Sequence, residues 1–116
     1  MSIDPYLDRM YIPRVYTCYH FVAEILKDRI GKDLSESLAH LFNTGKLSKS
    51  HVRLFTEVKV PTDYNIVIMQ RPNVNPPHMG VFIRGKILHL HRKGVEYQPI
   101  DIASRGFPSV RFAKCN

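Results

Sequence analysis

The chain has 116 residues, 44% of them hydrophobic, and a formal net charge of +7 at pH 7. This length predicts a single domain over residues 1–116, and the apolar fraction is too high for an intrinsically disordered chain. The basic side chains are scattered, so the charge favours anionic surroundings such as cell-wall polymer, while no recognition pattern predicts nucleic-acid binding.

The segment up to about Tyr16 is predicted to be ordered but irregular, because it contains Pro5, Pro13 and three tyrosines. Its first residues lack the basic stretch and apolar run of a secretory signal peptide, so none is expected. The longest strongly apolar run in the chain, residues 66–69, is far too short to span a membrane. We therefore expect no membrane insertion, and action outside a cytoplasm would require another route of export.

A first helix is predicted from about Cys18 to Ile30. Thr17 before it is a suitable N-cap, and Gly31 after it suits the left-handed residue that ends many helices. Apolar residues recur at helical spacing and define one buried face, made of Cys18, Phe21, Val22, Ile25 and Leu26. Cys18 is therefore expected in the first turn, on the side that faces the core.

A second helix is predicted over residues 34–43, with Gly45 as its stop. Its inward positions are Leu34, Leu38, Leu41 and Phe42. Ser48 or Ser50 is expected to cap a short third helix that runs through Leu54. The first half of the chain is thus predicted to be helical.

After Pro61 the pattern changes to that of strands. Residues 64–71 predict a central strand, because they are rich in Ile and Val and are apolar on both faces. Residues 71–77 contain three prolines and predict a rigid loop. Because proline cannot donate a ladder hydrogen bond, the next strand is expected to begin at or near His78.

Strands over 78–84 and 86–92 are predicted to form a hairpin, followed by a strand near 95–98. Residues 109–114 are predicted to form a last, edge strand, with Cys115 beyond it as an exposed free thiol. Two cysteines do not make a disulfide framework, which fits a reducing compartment during folding. Helices followed by an antiparallel sheet form the α+β pattern.

Cys18 is the candidate nucleophile. A thiol in the first turn lies at the positive end of the helix dipole, which favours the thiolate, and the unpaired N–H groups there can stabilise a developing oxyanion. The alternative is structural, since free cysteine is commonly buried as a small apolar side chain. Its position on the core stripe favours that alternative when Cys18 is considered alone.

His78 is the candidate general base. It follows two prolines at the start of a strand, where an imidazole can reach a facing helix terminus; the alternative is a surface histidine after a loop. Gly80 lies two residues further along the same strand. A glycine inside an apolar strand often marks the close approach of another group.

His89 and His91 share a face of the hairpin, and the turn decides which lies near His78. With Arg84-Gly85 as the two-residue turn, His89 lies diagonal to His78; with Gly85-Lys86, His91 takes that place. A residue followed by glycine is the commoner turn signal, so His89 is favoured as the residue that orients the base, and His91 is the alternative.

Other readings of the same residues are weaker. A zinc site made of Cys18, His78, His89 and His91 is disfavoured, because zinc ligands usually come as close pairs on tight turns. The remaining histidines, His20, His40 and His51, are expected to take no part in the chemistry. No cofactor or metal is predicted.

The arrangement resembles the NlpC-type cysteine peptidases of the papain-like fold, in the compact form found in tailed phages. The resemblance rests on Tyr-x-Cys-x-x-Phe-Val-x-Glu at 16–24, on His-Met-Gly-Val-Phe-Ile at 78–83 and on Ile-Leu-His at 87–89. The order of Cys before His before a polar residue is also that of the family. The resemblance covers roughly residues 11–100.

The resemblance implies a papain-like α+β fold and cleavage of peptide bonds in peptidoglycan, commonly after D-glutamate. Cys18 corresponds to the nucleophile, His78 to the base and His89 to the orienting residue, with Tyr16 and Tyr19 next to the nucleophile as substrate-binding residues. The implied partners are peptidoglycan peptides and phage tail proteins. The implied location is the host cytoplasm during assembly, the tail of the virion, or both.

Departures from the family pattern concern the substrate more than the catalytic centre. Thr17 and Tyr19 stand where many relatives have Asp and then Ser or Trp, and the glycine-rich loop before the cysteine is missing. A family tyrosine upstream of the nucleophile corresponds to Tyr6 or Tyr11, and the spacing does not decide between them. A non-catalytic tail or assembly module on the same scaffold is the alternative function.

Overall fold

The computed structural model describes residues 2–46 and 51–116. Within them, helices precede and flank a six-stranded sheet, which confirms the α+β class. The helices are α1 (Cys18–Ile30), α2 (Ser35–Thr44) and α3 (Ile100–Ala103), with short 3-10 turns at Asp4–Tyr6 and Val52–Leu54. The strands are β1 (Phe55–Val58), β2 (Ile66–Arg71), β3 (Val74–Ile83), β4 (Lys86–His91), β5 (Gly94–Gln98) and β6 (Ser109–Cys115).

The first helix has the predicted bounds. The chain leaves α1 through Gly31, whose φ of 70° is left-handed, and leaves α2 through Gly45, whose φ is 75°. The second helix begins and ends one residue later than predicted. The suggested caps Ser48 and Ser50 lie outside the described residues. None of the helices in residues 2–46 and 51–116 combines the length and apolar character needed to cross a membrane.

The sheet has the order β1-β6-β2-β3-β4-β5, and every pair is antiparallel. The strand β2 is central, with residues 66–69 all buried, as the sequence predicts. The prediction that the last strand is an edge is wrong, because β6 pairs with both β1 and β2. The edge beside it is β1, a four-residue strand too short to show a clear sequence pattern.

Each face of the sheet is covered by different helices. On β3, Met79, Val81 and Ile83 belong to the main core together with α1 and α2. The opposite face, which carries His78 and Phe82, packs against a smaller cluster that includes Ala103 of α3 and Phe107. The helix that carries Cys18 therefore lies on one side of β3 while the His78 ring is directed to the other.

The third strand begins earlier than predicted, at Val74 instead of near His78. Its prolines are tolerated because the pairing with β2 is interrupted by an irregularity between Met69 and Arg71. On the other side, the ladder with β4 begins only at Gly80. Pro76 and Pro77 thus lie where neither ladder requires a backbone N–H donor.

Cys115 is not the exposed thiol that its position near the C-terminus predicts. It pairs with Phe55 at the end of β6 and is half-buried against the main core. Burial raises the pKa of its thiol to about 11. Its burial comes from pairing with the edge strand β1, which was not predicted from the sequence.

Candidate active site

A cavity of about 340 Å³ opens where the start of α1 meets the start of β3 and the end of β4. It brings together the four predicted site residues that matter most for chemistry, which are Cys18, His78, His89 and His91. These come from three separate elements, so folding alone places the thiol and the imidazoles at one cavity. Of the two upstream tyrosines considered, Tyr11 lines this cavity, whereas Tyr6 is buried and donates to Asp28.

The start of α1 is fixed by a capping interaction with His20. The Thr17 N–H donates to Nδ1 of His20 at 2.9 Å, which satisfies a backbone donor ahead of the first turn. The ring of His20 stacks on Tyr19, with centroids 4.0 Å apart. His20 lies outside the set of cavity residues, yet it fixes the turn from which Cys18 projects.

The sulfur of Cys18 lies against the main chain of β3. Its thiol donates to the carbonyl oxygen of Pro77 at 3.9 Å, and Cys18 as a whole is only 4% exposed. Burial raises the pKa of the thiol to about 11, although backbone N–H groups, that of Met79 foremost, partly oppose the rise. The expectation that the helix terminus favours the thiolate is therefore outweighed by burial, and the resting thiol is neutral.

The two catalytic candidates on the sheet are hydrogen-bonded to each other. Nε2 of His78 and Nδ1 of His89 are 2.8 Å apart. The turn is Arg84-Gly85, and Gly80 lies opposite His89, so the register favoured from the sequence is confirmed. His89, the residue predicted to orient the base, is 5% exposed.

The surroundings of His78 keep its ring neutral. Burial is the main cause that lowers its pKa to about 3, and nearby positive charge adds to the effect through His89, His91 and Arg71. The ring also stacks on Phe107, with centroids 5.8 Å apart and planes inclined by 13°. A neutral imidazole can act as a proton acceptor for a thiol at the same cavity, because one ring nitrogen keeps a lone pair.

His91 is held by a different partner. Its Nε2 pairs with the carboxylate of Glu96 on the neighbouring strand β5. The His89 and His91 rings are 5.7 Å apart, and within the described residues the hydrogen bond to His78 comes from His89 alone. The geometry therefore places His89 in hydrogen-bond contact with His78 and leaves His91 as a neighbouring cavity residue.

Tyr16 and Tyr19 do not line the cavity that holds Cys18. The Tyr16 hydroxyl donates to Glu24, which also pairs with Arg9 at 2.7 Å, and burial raises the pKa of Tyr16. Tyr19 packs against Phe42 in a tilted arrangement, with ring centroids 4.9 Å apart and planes inclined by 42°, and Phe42 does line the cavity. Their part in substrate binding stays a prediction, and any contact of Tyr19 with this cavity passes through Phe42.

Two site residues were missed from the sequence. Gln98 accepts from the ring of His89, with Nε2 and Oε1 2.9 Å apart, and Phe107 stacks on His78. The position of Gln98 follows from strand alternation once the β4–β5 register is known, whereas Phe107 lies in a loop without a local signal. In the described part of the chain, no group of three or more His, Cys, Asp or Glu is arranged to hold a metal ion.

Comparison with protein-family models, with curated proteins and with solved structures found no match to this chain. The family suggested by the residues at 16–24 and 78–89 is thus neither supported nor opposed by any relative.

Proposed function

We propose that this chain is a cysteine endopeptidase with a papain-like arrangement that cleaves peptide bonds of peptidoglycan, and that it is a tail or tail-assembly component of a phage. The observation that carries the proposal is the hydrogen bond between His78 and His89 at the cavity that also holds Cys18. A nucleophile at a helix start, a base on a strand beside it and an orienting residue on the next strand are the parts of a thiol protease site.

The roles follow from which atoms are engaged. His89 occupies Nε2 of His78, so Nδ1 of His78 is the nitrogen left to accept the proton of the Cys18 thiol. The sulfur then attacks the scissile carbonyl carbon, and N–H groups at the start of α1 stabilise the oxyanion. The proton passes from His78 to the departing amine, and water hydrolyses the thioester to regenerate the thiol.

The resting geometry requires a movement before the first step. The thiol of Cys18 donates to Pro77 in the free protein, and it has to leave that carbonyl to reach His78. We expect substrate binding to turn the Cys18 side chain into the cavity that both residues line, because the sulfur rests against the backbone of β3 while the His78 ring lies on the other face of that strand. Proton transfer then coincides with the approach of the carbonyl, which suits a thiol whose pKa is raised by burial.

The charge of the cavity supports an anionic substrate. Arg71 and Arg92 contribute to its lining, and none of the described lining residues is acidic. Peptidoglycan stem peptides carry free carboxylates, and the net charge of +7 favours approach to an anionic wall. The association with a phage tail and the preference for a bond after D-glutamate rest on the family resemblance.

The test is cleavage of purified peptidoglycan, measured as release of new amino groups. We expect activity in the wild type and in Cys115→Ala, which removes the thiol outside the cavity, and none in Cys18→Ala or His78→Ala. Circular dichroism of all four proteins checks that the fold is kept. Equal activity in wild type and Cys18→Ala would end the peptidase proposal.

A second function, a non-catalytic tail or assembly module, is favoured by one observation. Cys18 is only 4% exposed and its thiol donates to a backbone carbonyl, as a structural cysteine does. Thiol alkylation separates the two functions, using Cys115→Ala and Cys18→Ala to isolate each thiol. Burial raises both thiol pKa values to about 11, so faster reaction of Cys18 near neutral pH would report help from His78. Reaction of Cys115 alone would favour the structural module.

A further inference from the structure

Gln98 ends a chain of three hydrogen-bonded side chains that starts at His78. The first bond joins Nε2 of His78 to Nδ1 of His89 at 2.8 Å, and the second joins Nε2 of His89 to Oε1 of Gln98 at 2.9 Å. The three residues lie on the neighbouring strands β3, β4 and β5. Both ring nitrogens of His89 are thereby engaged.

Strand register explains why the three side chains meet. Gly80 and Glu96 both lie opposite His89, one on each neighbouring strand. His78 is two residues before Gly80 and Gln98 is two residues after Glu96, so all three side chains share one face and follow one diagonal. The arrangement is fixed by backbone pairing and does not depend on a loop.

The amide of Gln98 determines which atom donates in each of the two hydrogen bonds. An amide oxygen only accepts, so Nε2 of His89 must carry the hydrogen that faces Gln98. A neutral imidazole has one N–H, and Nδ1 of His89 therefore accepts from Nε2 of His78. Nδ1 of His78 is then left with its lone pair.

The nearby carboxylate does not compete for this position. Glu96 lies opposite His89 in the register, but its side chain pairs with His91. Arg71, one of the two arginines that line the cavity, donates to the backbone oxygen of Gly106 at 2.8 Å. The acceptor that faces His89 is thus the neutral amide of Gln98.

We propose that Gln98 is a positioning residue that fixes the tautomers of His89 and His78, so that Nδ1 of His78 is the proton acceptor of the site. Turned the other way, the amide would donate to His89, every hydrogen bond in the chain would reverse, and Nδ1 of His78 would carry a hydrogen. This role rests on the proposed function, because a proton acceptor in this cavity matters only if Cys18 is a nucleophile.

The test reads the tautomers directly from nitrogen NMR of the histidine rings, in which protonated and unprotonated ring nitrogens are well separated. Three variants are compared with the wild type. Gln98→Leu removes the acceptor, and Gln98→Glu keeps an acceptor at the same place. The matched control is Gln70→Leu, which removes an amide on β2 that accepts from Arg111 at 2.7 Å and is not bonded to any of the three histidines of the cavity.

We expect the wild type, Gln98→Glu and Gln70→Leu to carry the hydrogen of both His78 and His89 on Nε2. In Gln98→Leu we expect a mixture of tautomers and a loss of about tenfold in peptidoglycan cleavage, with Gln98→Glu retaining most of the activity. A hydrogen on Nδ1 of His78 in the wild type would overturn the proposal, even if Gln98→Leu fails to fold. Unchanged tautomers in a folded Gln98→Leu would overturn it as well.

Failure of the proposed function has a different signature. Wild-type protein with the expected tautomers, a tautomer mixture in Gln98→Leu and no cleavage of peptidoglycan would reject the peptidase but support tautomer control by Gln98. If the wild type cleaves peptidoglycan but its histidine tautomers are unchanged in Gln98→Leu, the peptidase is supported and tautomer control by Gln98 is rejected.

Discussion

Gly80 and His89 lie opposite each other on β3 and β4, and the space between them leaves no room for a side chain at position 80. A Cβ added to Gly80 would lie 3.0 Å from Cβ of His89 and 2.7 Å from Cγ2 of Ile87. The sequence predicts that Gly80 marks the close approach of another group, and this is confirmed. The approaching side chains are those of Ile87 and His89.

Gly80→Ala is expected to push β4 away from β3 and to lower the free energy of unfolding by about 1–3 kcal/mol, the usual cost of overpacking. The measurement is urea denaturation. Because the shortest contact is with Ile87, combining Gly80→Ala with Ile87→Ala should cost less than the sum of the single changes. Additive costs in this double-mutant cycle would contradict the steric explanation.

The three histidines at the cavity should differ in their effect on activity. We expect His78→Ala to abolish peptidoglycan cleavage and His89→Ala to reduce it by about tenfold, since a base contributes more than the residue that orients it. His91→Ala should stay near wild type, because His91 pairs with Glu96 and not with His78. Initial rates of cleavage of the same substrate rank the three variants. A larger loss in His91→Ala than in His89→Ala would make His91 the orienting residue.

Stability should fall in mild acid because of His78. Its pKa is lowered to about 3 in the fold, against about 6.5 in an unfolded chain, so the unfolded state binds a proton first. The contribution to stability is complete above about pH 6.5 and is lost as the pH falls towards 3. The check is the free energy of unfolding against pH for wild type and for His78→Asn, whose curve should be flatter. Parallel curves would mean that His78 titrates normally.

The lead-in segment should depend on its ion pair with α1. Arg9 donates to both carboxylate oxygens of Glu24, and this interaction is the main cause of the lowered pKa of Glu24. Arg9→Met should therefore raise the Glu24 pKa and lower the free energy of unfolding by about 1 kcal/mol, a modest cost because both groups are partly exposed. The exposed Arg14, changed to Met, serves as the control. A Glu24 carbon chemical shift that titrates identically in Arg9→Met and wild type would refute this.

The parts of the fold that were predictable are those with local signals. Thr17 and Gly31 mark the ends of α1, and Arg84-Gly85 sets the register that brings His89 to His78. Pairing of β1 with β6 was not predictable, because it joins residues about sixty positions apart and β1 shows little periodicity.

The candidate site shows the same division. Cys18 and His89 were identified because the sequence specifies a helix start and a hairpin register. His78 was identified as the start of a strand, although β3 begins four residues earlier, at Val74. Gln98 requires the register of a second hairpin, and Phe107 requires the path of a loop. Burial of the Cys18 sulfur also needed the tertiary structure, since the helix dipole alone predicts the opposite ionisation.

The cover over both sulfurs has a consequence for oxidative damage. Peroxide attacks thiolates, and burial keeps Cys18 and Cys115 in the protonated form at neutral pH. Sulfenic acid should therefore accumulate slowly on this chain in aerated solution. Both thiols would in this way survive prolonged exposure to a non-reducing solution.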